Sequence, residues 1–327
     1  MPALPNATLS AITLIDHGVP ANTLQADVHR GLTASPKTLP SKYFYDEEGS
    51  RLFDAITELE AYYPTRTEMG IMEAHIGSMM EAIGARALLV EYGSGSSLKT
   101  RILLDHLPDL VGYVPIDISG EYLLATAYQL AERYPELTIV PIAADYTTAF
   151  NLPELAHQAD NVVAYFPGST IGNFTPDEAA IFLKGTARLV GSSGRLLIGV
   201  DLKKDKAVLD LAYDDPEGVT AAFNLNVLTR LNRELNADFD LEAFTHRAFY
   251  NEAAGRVEMH LVSNVAQTVT IGDESYAFEE GETIHTENSY KYALGEFADL
   301  AAQAGFGVEH VWTDANDWFS VQLLRVQ

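Results

Sequence analysis

The stretch that most constrains this chain runs from Ala87 to Arg101, ALLVEYGSGSSLKTR. Ala87 to Tyr92 is apolar apart from Glu91, the pattern of a strand buried on both faces of a parallel sheet. A Gly93-Ser94-Gly95 turn follows, and Ser96 to Arg101 opens a helical pattern with hydroxyls at its cap. Strand, glycine turn and helix in that order make a nucleotide-type site. The glycines let the main chain approach a ligand, and the helix N-terminus offers N–H groups without intrahelical partners. A dinucleotide fingerprint wants a third glycine where Leu98 stands, and a P-loop wants a longer loop ending Gly-Lys-Ser/Thr. Neither is met. Glu91, just ahead of the glycines, would repel a pyrophosphate and suits a ligand without phosphates, such as the cationic sulfonium S-adenosylmethionine.

The rhythm around that stretch is regular. Strand 87–92 precedes a helix near 97–107, strand 111–118 a helix at 120–134, and a strand is expected at 138–144. Strand 161–166 leads to a helix at 176–190 capped by Thr175, and strand 195–200 closes on Asp201. Upstream, Tyr62 to Arg66 reads as a turn that starts a helix from Thr67 to Ile83. Beyond Asp201 come helices within 205–237, including Ala221 to Leu235, and short strands over 246–290. A last helix, Leu294 to Ala304, and a hairpin of 307–313 with 318–326 complete the chain. This order predicts an α/β fold: a doubly wound, Rossmann-like sheet of the class I methyltransferase kind. Residues 67–202 plus 292–327 are expected to form that domain. Residues 1–66 plus 203–291 are expected to form a smaller α+β lobe that binds the substrate. Residues 1–40, with five prolines, resist assignment.

Composition narrows the partners. A net charge of −25 argues against nucleic acid and anionic membranes. Without cysteine there is no thiol nucleophile, disulfide or cysteine-ligated metal. No basic-then-apolar leader opens the sequence, and no apolar run approaches a membrane span, so a cytoplasmic monomer is expected. His106, His157, His246, His260, His285 and His310 show no metal-ligand spacing, so no metal is expected, and His75 reads as structural.

Ligands of open α/β sheets lie at the carboxyl ends of the strands. There the sequence places Glu91 and Gly93, Asp117, Asp145 with Tyr146, and Gly168 with Asn173. Asp117 is positioned to accept both ribose hydroxyls. Asp145 is positioned to accept from an adenine amine. Each acid alone reads equally well as a solvated loop residue in a chain with 46 of them. Three on consecutive strand ends make the ligand reading the stronger one.

Longer motifs add to this. LPSKYFYDEEGSRLFDAIT, YYPTRTE, EYGSGSSLKTR, FPGSTIGNFTP, AYDD with FNLNVL and NRELNADF, RVEMHL and IHTENSYKY are spread across nearly the whole chain, from about Tyr45 to Trp318. Each of these motifs occurs once, and with them the chain resembles the histidine-specific S-adenosylmethionine-dependent methyltransferases, which make the trimethyl betaine hercynine for ergothioneine biosynthesis. The resemblance implies a donor site at Gly93, Lys99, Asp117, Asp145 and Tyr146, with Glu91 beside it. It implies an amino-acid site at Tyr45, Phe53, Tyr62, Gly168, Asn173, Tyr213, Met259, Glu287 and Ser289. Asn173, Tyr62 and Tyr213 are the expected catalytic group. Three positions depart from the family pattern: Tyr146 replaces Phe, EYGSG replaces ELGSG, and Asn288 replaces a small apolar residue.

The residue chemistry is consistent with that assignment. Methyl transfer from a sulfonium needs a neutral amine held in line, and no nucleophilic side chain. Tyr62, Tyr213 and the Asn173 amide can donate to a carboxylate, and the Asn173 carbonyl can orient the amine. Glu287 and Ser289, at i and i+2 on a strand, share one face and can bracket an imidazole. Phe53 and Tyr45 can line the quaternary nitrogen of the product. Without the motif context, Tyr45, Phe53 and Tyr62 read as core aromatics, Met259 as a packing residue, Lys99 as a surface lysine, and Glu287 with Ser289 as a solvated strand face. Two other functions stand beside histidine methylation: methylation of tryptophan or another indole amino acid, and a non-catalytic donor-binding protein.

Overall fold

The computed structural model describes residues 12–17, 23–95, 98–107 and 109–327. The expected cap at Ser96 and Ser97 lies outside them. In chain order the first half comprises β1 (Ile15–Asp16), α1 (Thr23–Thr33), β2 (Lys37–Thr38), α2 (Glu47–Glu58), α3 (Tyr63–Ile83), β3 (Ala87–Tyr92), α4 (Leu98–Leu104), β4 (Gly112–Asp117), α5 (Gly120–Arg133), β5 (Ile142–Ala143) and β6 (Asn161–Phe166). Then follow α6 (Pro176–Val190), β7 (Arg195–Asp201), α7 (Lys206–Tyr213), α8 (Val219–Leu235), β8 (Phe244–Asn251), β9 (Arg256–Ser263), β10 (Gln267–Ile271), β11 (Glu274–Phe278), β12 (Thr283–Tyr290), α9 (Leu294–Gln303), β13 (Phe306–Thr313) and β14 (Phe319–Val326).

Among the described residues the main sheet has eight strands in the order β1-β5-β4-β3-β6-β7-β14-β13. All neighbours are parallel except β14, which runs antiparallel to both β7 and β13. The apolar run of β3 explains its central place. Leu88 and Val90 enter the core on one face and Leu89 the core on the other, all fully buried. Each such side chain contributes roughly 1.5–3 kcal/mol of burial. Thr175 and Glu178 form a reciprocal capping box at the start of α6, with Pro176 in its first turn.

Three features depart most from the sequence reading. The strand expected at 138–144 keeps only Ile142–Ala143 and a single bridge from Ile139 to Tyr113, because Pro141 interrupts the ladder without an N–H. The helix expected from Thr67 begins at Tyr63. Pro64 sits in its first turn, where the missing N–H costs nothing. Ile15–Asp16, within the unassigned N-terminal region, pairs in parallel with β5 and extends the large sheet.

A separate core unites α1, α2, α7 and α8 with the sheet β2-β12-β9-β8 and the hairpin β10–β11. Strand β8 alternates cleanly, with Phe244, His246, Ala248 and Tyr250 buried. This smaller lobe meets the large one where Tyr292 bridges Leu202 and the turn of Thr170–Asn173 backs onto β12. A Cβ on Gly172 would lie 2.7 Å from the Tyr290 carbonyl, so only glycine permits that approach.

Candidate active site

At the carboxyl ends of β3, β4 and β5 the structure gathers Gly93, Asp117, Asp145 and Tyr146. Gly93 and Gly95 adopt φ of +67° and +44°, the left-handed region where glycine is unstrained. A Cβ on Gly93 would stand 4.0 Å from the Tyr146 ring. That ring packs among Tyr92, Phe166 and Phe182 at 5.7, 5.9 and 6.1 Å. Its hydroxyl has no hydrogen bond among the described residues, and burial beside Asp117 and Asp145 raises its pKa. Asp117 accepts from the Ser119 N–H at 3.0 Å, and burial raises its pKa as well. Asp145 accepts from the N–H and hydroxyl of Thr147 at 2.9 and 2.5 Å. Two carboxylates and an aromatic face beside a bare glycine turn match a nucleoside without phosphates, so the residues present fit S-adenosylmethionine.

Glu91 and Lys99 each have partners within the protein. The Glu91 carboxylate is buried and receives Thr100 at 2.6 Å and the Tyr113 hydroxyl. It braces β3 against α4 and β4 below the turn, and burial pushes its pKa up to about 8. Lys99 pairs with Glu68 of α3, a carboxylate with no exposed surface. Glu68 also accepts the Gly168 N–H at 2.9 and 3.0 Å. It therefore ties α3, α4 and the turn after β6 together. Sequence reasoning missed Glu68, and a Cβ on Gly199 would collide with it at 2.1 Å.

Six of the nine residues expected to bind the amino acid meet in the smaller lobe, while Gly168, Asn173 and Ser289 are not among the cavity's lining. Tyr45, Phe53, Tyr62, Tyr213, Met259 and Glu287 line one cavity, joined by Phe223 and Thr220, which sequence reasoning did not single out. Phe223 contacts Tyr45 at 5.7 Å and Phe53 at 5.9 Å, and Tyr62 meets Phe53 and Tyr213 edge-on. Met259 is the direct cross-strand partner of Glu287. A bulge at Thr286, held by bonds to Asn224 and the Met259 carbonyl, sets the direction of Glu287. Among the described residues nothing donates to the Glu287 carboxylate; burial raises its pKa to about 7, and Lys291 opposes the rise. The hydroxyls of Tyr45 and Tyr62 and the Asn173 amide likewise have no protein partner among the described residues. Gly168 adopts φ +77°, and a Cβ there would lie 3.4 Å from the Lys99 ammonium.

Ser289 is buried beside the cavity-lining Tyr213 and belongs to a hydrogen-bonded network. Its hydroxyl lies 2.8 Å from that of Tyr213, and Lys291 donates to both at 2.8 Å. Lys291 is fully buried and paired at 2.6 Å with Asp201, the last residue of β7. Asp201 also accepts from Tyr63 at 2.7 and 2.8 Å and from Lys204 at 2.6 Å. The two lysines hold its pKa down against burial, while burial and Lys291 lower Lys204 to about 8.

Glu258, His260 and His285 also come within 4.8 Å of one another, on the strand face away from the cavity. Arg256 and Asn251 already donate to Glu258, and the two imidazoles are stacked at 4.6 Å. Arg256 thus pairs with one oxygen of Glu258, and His260 lies 3.1 Å from the other.

A parallel sheet closed by an antiparallel hairpin, with a glycine turn and two carboxylates at its strand ends, is the architecture of the class I methyltransferases. The sequence profile described as "Histidine-specific methyltransferase, SAM-dependent" matches residues 24–326, and the chain belongs to that family. It is 42% identical over 321 residues to the histidine N-alpha-methyltransferase of Mycolicibacterium smegmatis, covering 97% of this chain and 99% of that one. Identity to the enzyme of the same name from Mycobacterium tuberculosis is 44% over 308 residues, covering 92% and 94%. Ergothioneine biosynthesis protein 1 of Neurospora crassa is 30% identical over 292 residues, covering 86% of this chain and 32% of that longer protein.

Proposed function

We propose that the protein methylates the α-amino nitrogen of L-histidine three times, yielding hercynine, the first step toward ergothioneine. One observation carries this reading: an unpartnered carboxylate, Glu287, shares a strand face with Ser289 and opens into an aromatic cavity. That pair offers an acceptor and a hydroxyl on either side of an imidazole.

Bound S-adenosylmethionine supplies an electrophilic methyl group, and the chain's part is to hold the amine against it. In the proposed arrangement Gly93, Lys99, Asp117, Asp145 and Tyr146 hold the donor. Tyr213 and the Asn173 amide receive the substrate carboxylate. The Asn173 carbonyl and the Tyr62 hydroxyl orient the amine. The Tyr62 hydroxyl and the Asn173 amide are open in the free protein, so neither has an internal bond to break before substrate binds. Tyr45, Phe53 and Phe223 surround the nitrogen as it gains permanent charge. Holding an amine in line is worth several orders of magnitude in rate without any covalent intermediate. We further propose that residues 67–202 with 292–327 carry the donor, and that the smaller lobe, 1–66 with 203–291 less Ile15–Asp16, carries the amino acid.

Incubation with isotopically labelled donor and single amino acids tests the reading. Label should enter histidine in mono-, di- and trimethyl products. Labelling of tryptophan but not histidine would overturn the substrate, and no labelling of any amino acid would overturn the reaction.

A further inference from the structure

Lys291 makes no contact with the cavity, yet it fixes what the cavity can offer. Its ammonium has three protons and no acceptor capacity. The three are used on Tyr213 at 2.8 Å, Ser289 at 2.8 Å and Asp201 at 2.6 Å. Tyr213 and Ser289 lie 2.8 Å apart, so one of their two hydroxyl protons can bridge them. The other has no acceptor among the described residues. Each oxygen already accepts from Lys291, so both hydroxyls can turn their protons toward a ligand that carries two acceptors. Without Lys291 the pair would close on itself and deliver one donor.

We infer that Lys291 is a positioning residue for substrate recognition: by donating to Tyr213 and Ser289 together, it keeps both hydroxyls as donors toward the bound amino acid. This rests on the histidine reading above and deepens it. Tyr213 then donates to the substrate carboxylate. Ser289 donates to a ring nitrogen, which must present a lone pair. The ring's N–H is left for Glu287. The site thereby selects a neutral imidazole. It discriminates against an imidazolium, which has no lone pair, and against phenyl, thienyl or indole rings, which have no acceptor nitrogen. Asp201 and Lys204 hold the ammonium in place, since Asp201 is tied on its other side to Tyr63 and Lys204.

Two measurements test this. In the first, ring-15N histidine is bound to the unaltered protein with S-adenosylhomocysteine, and the ring nitrogens are observed by NMR at a pH of about 5.5. Free histidine is then mostly protonated on the ring. The bound ring should show one protonated and one unprotonated, hydrogen-bonded nitrogen. A doubly protonated bound ring would make Ser289 an acceptor and overturn the inference alone. Failure of histidine to bind at all would remove the substrate reading and this inference with it. In the second, Lys291→Met should raise the KM for histidine by about ten- to a hundredfold with a smaller change in kcat. The same variant should change the turnover of 2-thienylalanine, expected to be weak in the parent, far less, and leave S-adenosylhomocysteine affinity unchanged. Equal losses for both substrates, or none for histidine, would refute the role. If the variant no longer binds S-adenosylhomocysteine, the ring spectrum of the unaltered protein decides.

Discussion

Glu287→Gln separates what this carboxylate does for the substrate from what it costs the fold. Burial lifts Glu287 from an ordinary 4.5 to about 7, with Lys291 acting in the other direction. That rise corresponds to about 3 kcal/mol, an upper figure because the residue lines a cavity. The sign follows from proton counts. Between pH 4.5 and 7 the native state holds the proton and the unfolded chain has lost it, so stability falls as pH rises through that window. Above pH 7 the carboxyl is ionised in both states and the fold carries the whole cost. Glutamine keeps the shape without the charge. The variant should therefore be more stable than the parent by up to about 3 kcal/mol at pH 8, on the order of 5 °C in Tm. At pH 5.5 less than half of that gain should remain. Histidine affinity should fall about tenfold at pH 8, because a charged acceptor is replaced by a neutral one. Thermal unfolding of both proteins at the two pH values, with calorimetric titration of histidine into the S-adenosylhomocysteine complex, gives every quantity. A gain of equal size at both pH values, or a less stable variant at pH 8, would refute the account of a strained, unpaired carboxylate.

Three further outcomes are expected. Tyr62→Phe removes a hydroxyl that has no protein partner, so urea unfolding should change by less than about 0.5 kcal/mol while kcat/KM drops about ten- to a hundredfold. Asp201→Ala leaves Lys291 and Lys204 buried without their counter-charge, and urea unfolding should show a loss of about 3–5 kcal/mol. A loss below about 1 kcal/mol would mean that the two lysines shed their protons at little cost. Gly168→Ala forces a left-handed residue to carry a Cβ 3.4 Å from Lys99; stability should fall by about 1–2 kcal/mol in thermal unfolding, and steady-state kinetics should show a lower kcat/KM.

Legibility from sequence follows the range of the interaction that fixes each feature. Strands β3 and β6 and helix α6 match their expected limits of 87–92, 161–166 and 176–190, because apolar runs and the Thr175–Glu178 cap are local signals. The short β5 was misjudged because one proline outweighs an otherwise convincing apolar run. The main-sheet position of Ile15–Asp16 has no local mark, since two residues carry no period. The cavity residues were legible through motifs, and the i, i+2 spacing of Glu287 and Ser289 survives within β12. Their supports were not. Glu68 meets Gly168 across 100 positions, and Lys291 meets Tyr213 across 78. A buried lysine and a buried glutamate look like surface residues until their partners are placed.

The distribution of hydrogen-bonding capacity then separates the groups that meet ligands from the groups that hold them. Glu68, Glu91 and Asp201 each accept at least two protein donors. Their carboxylates are spent on joining α3, α4, β4 and β12 to the strand ends. Glu287, Tyr45, Tyr62, Tyr146 and Asn173 are left open among the described residues, though Tyr62 is almost fully buried. Leaving a buried polar group unpaired costs about 1–3 kcal/mol. Apart from Tyr62 these groups keep contact with solvent, Tyr45 being 40% exposed, so water satisfies them in the free protein and a ligand that displaces it must satisfy them in turn. The satisfied buried network supplies the rigidity that keeps them from collapsing onto one another. Tyr213 and Ser289 show the boundary between the two classes: they are bonded to each other and to Lys291, yet still have a proton to give. A ligand that satisfies the open set must carry both acceptors and donors in one small body and tolerate aromatic walls, which describes a zwitterion with an imidazole better than one with an indole.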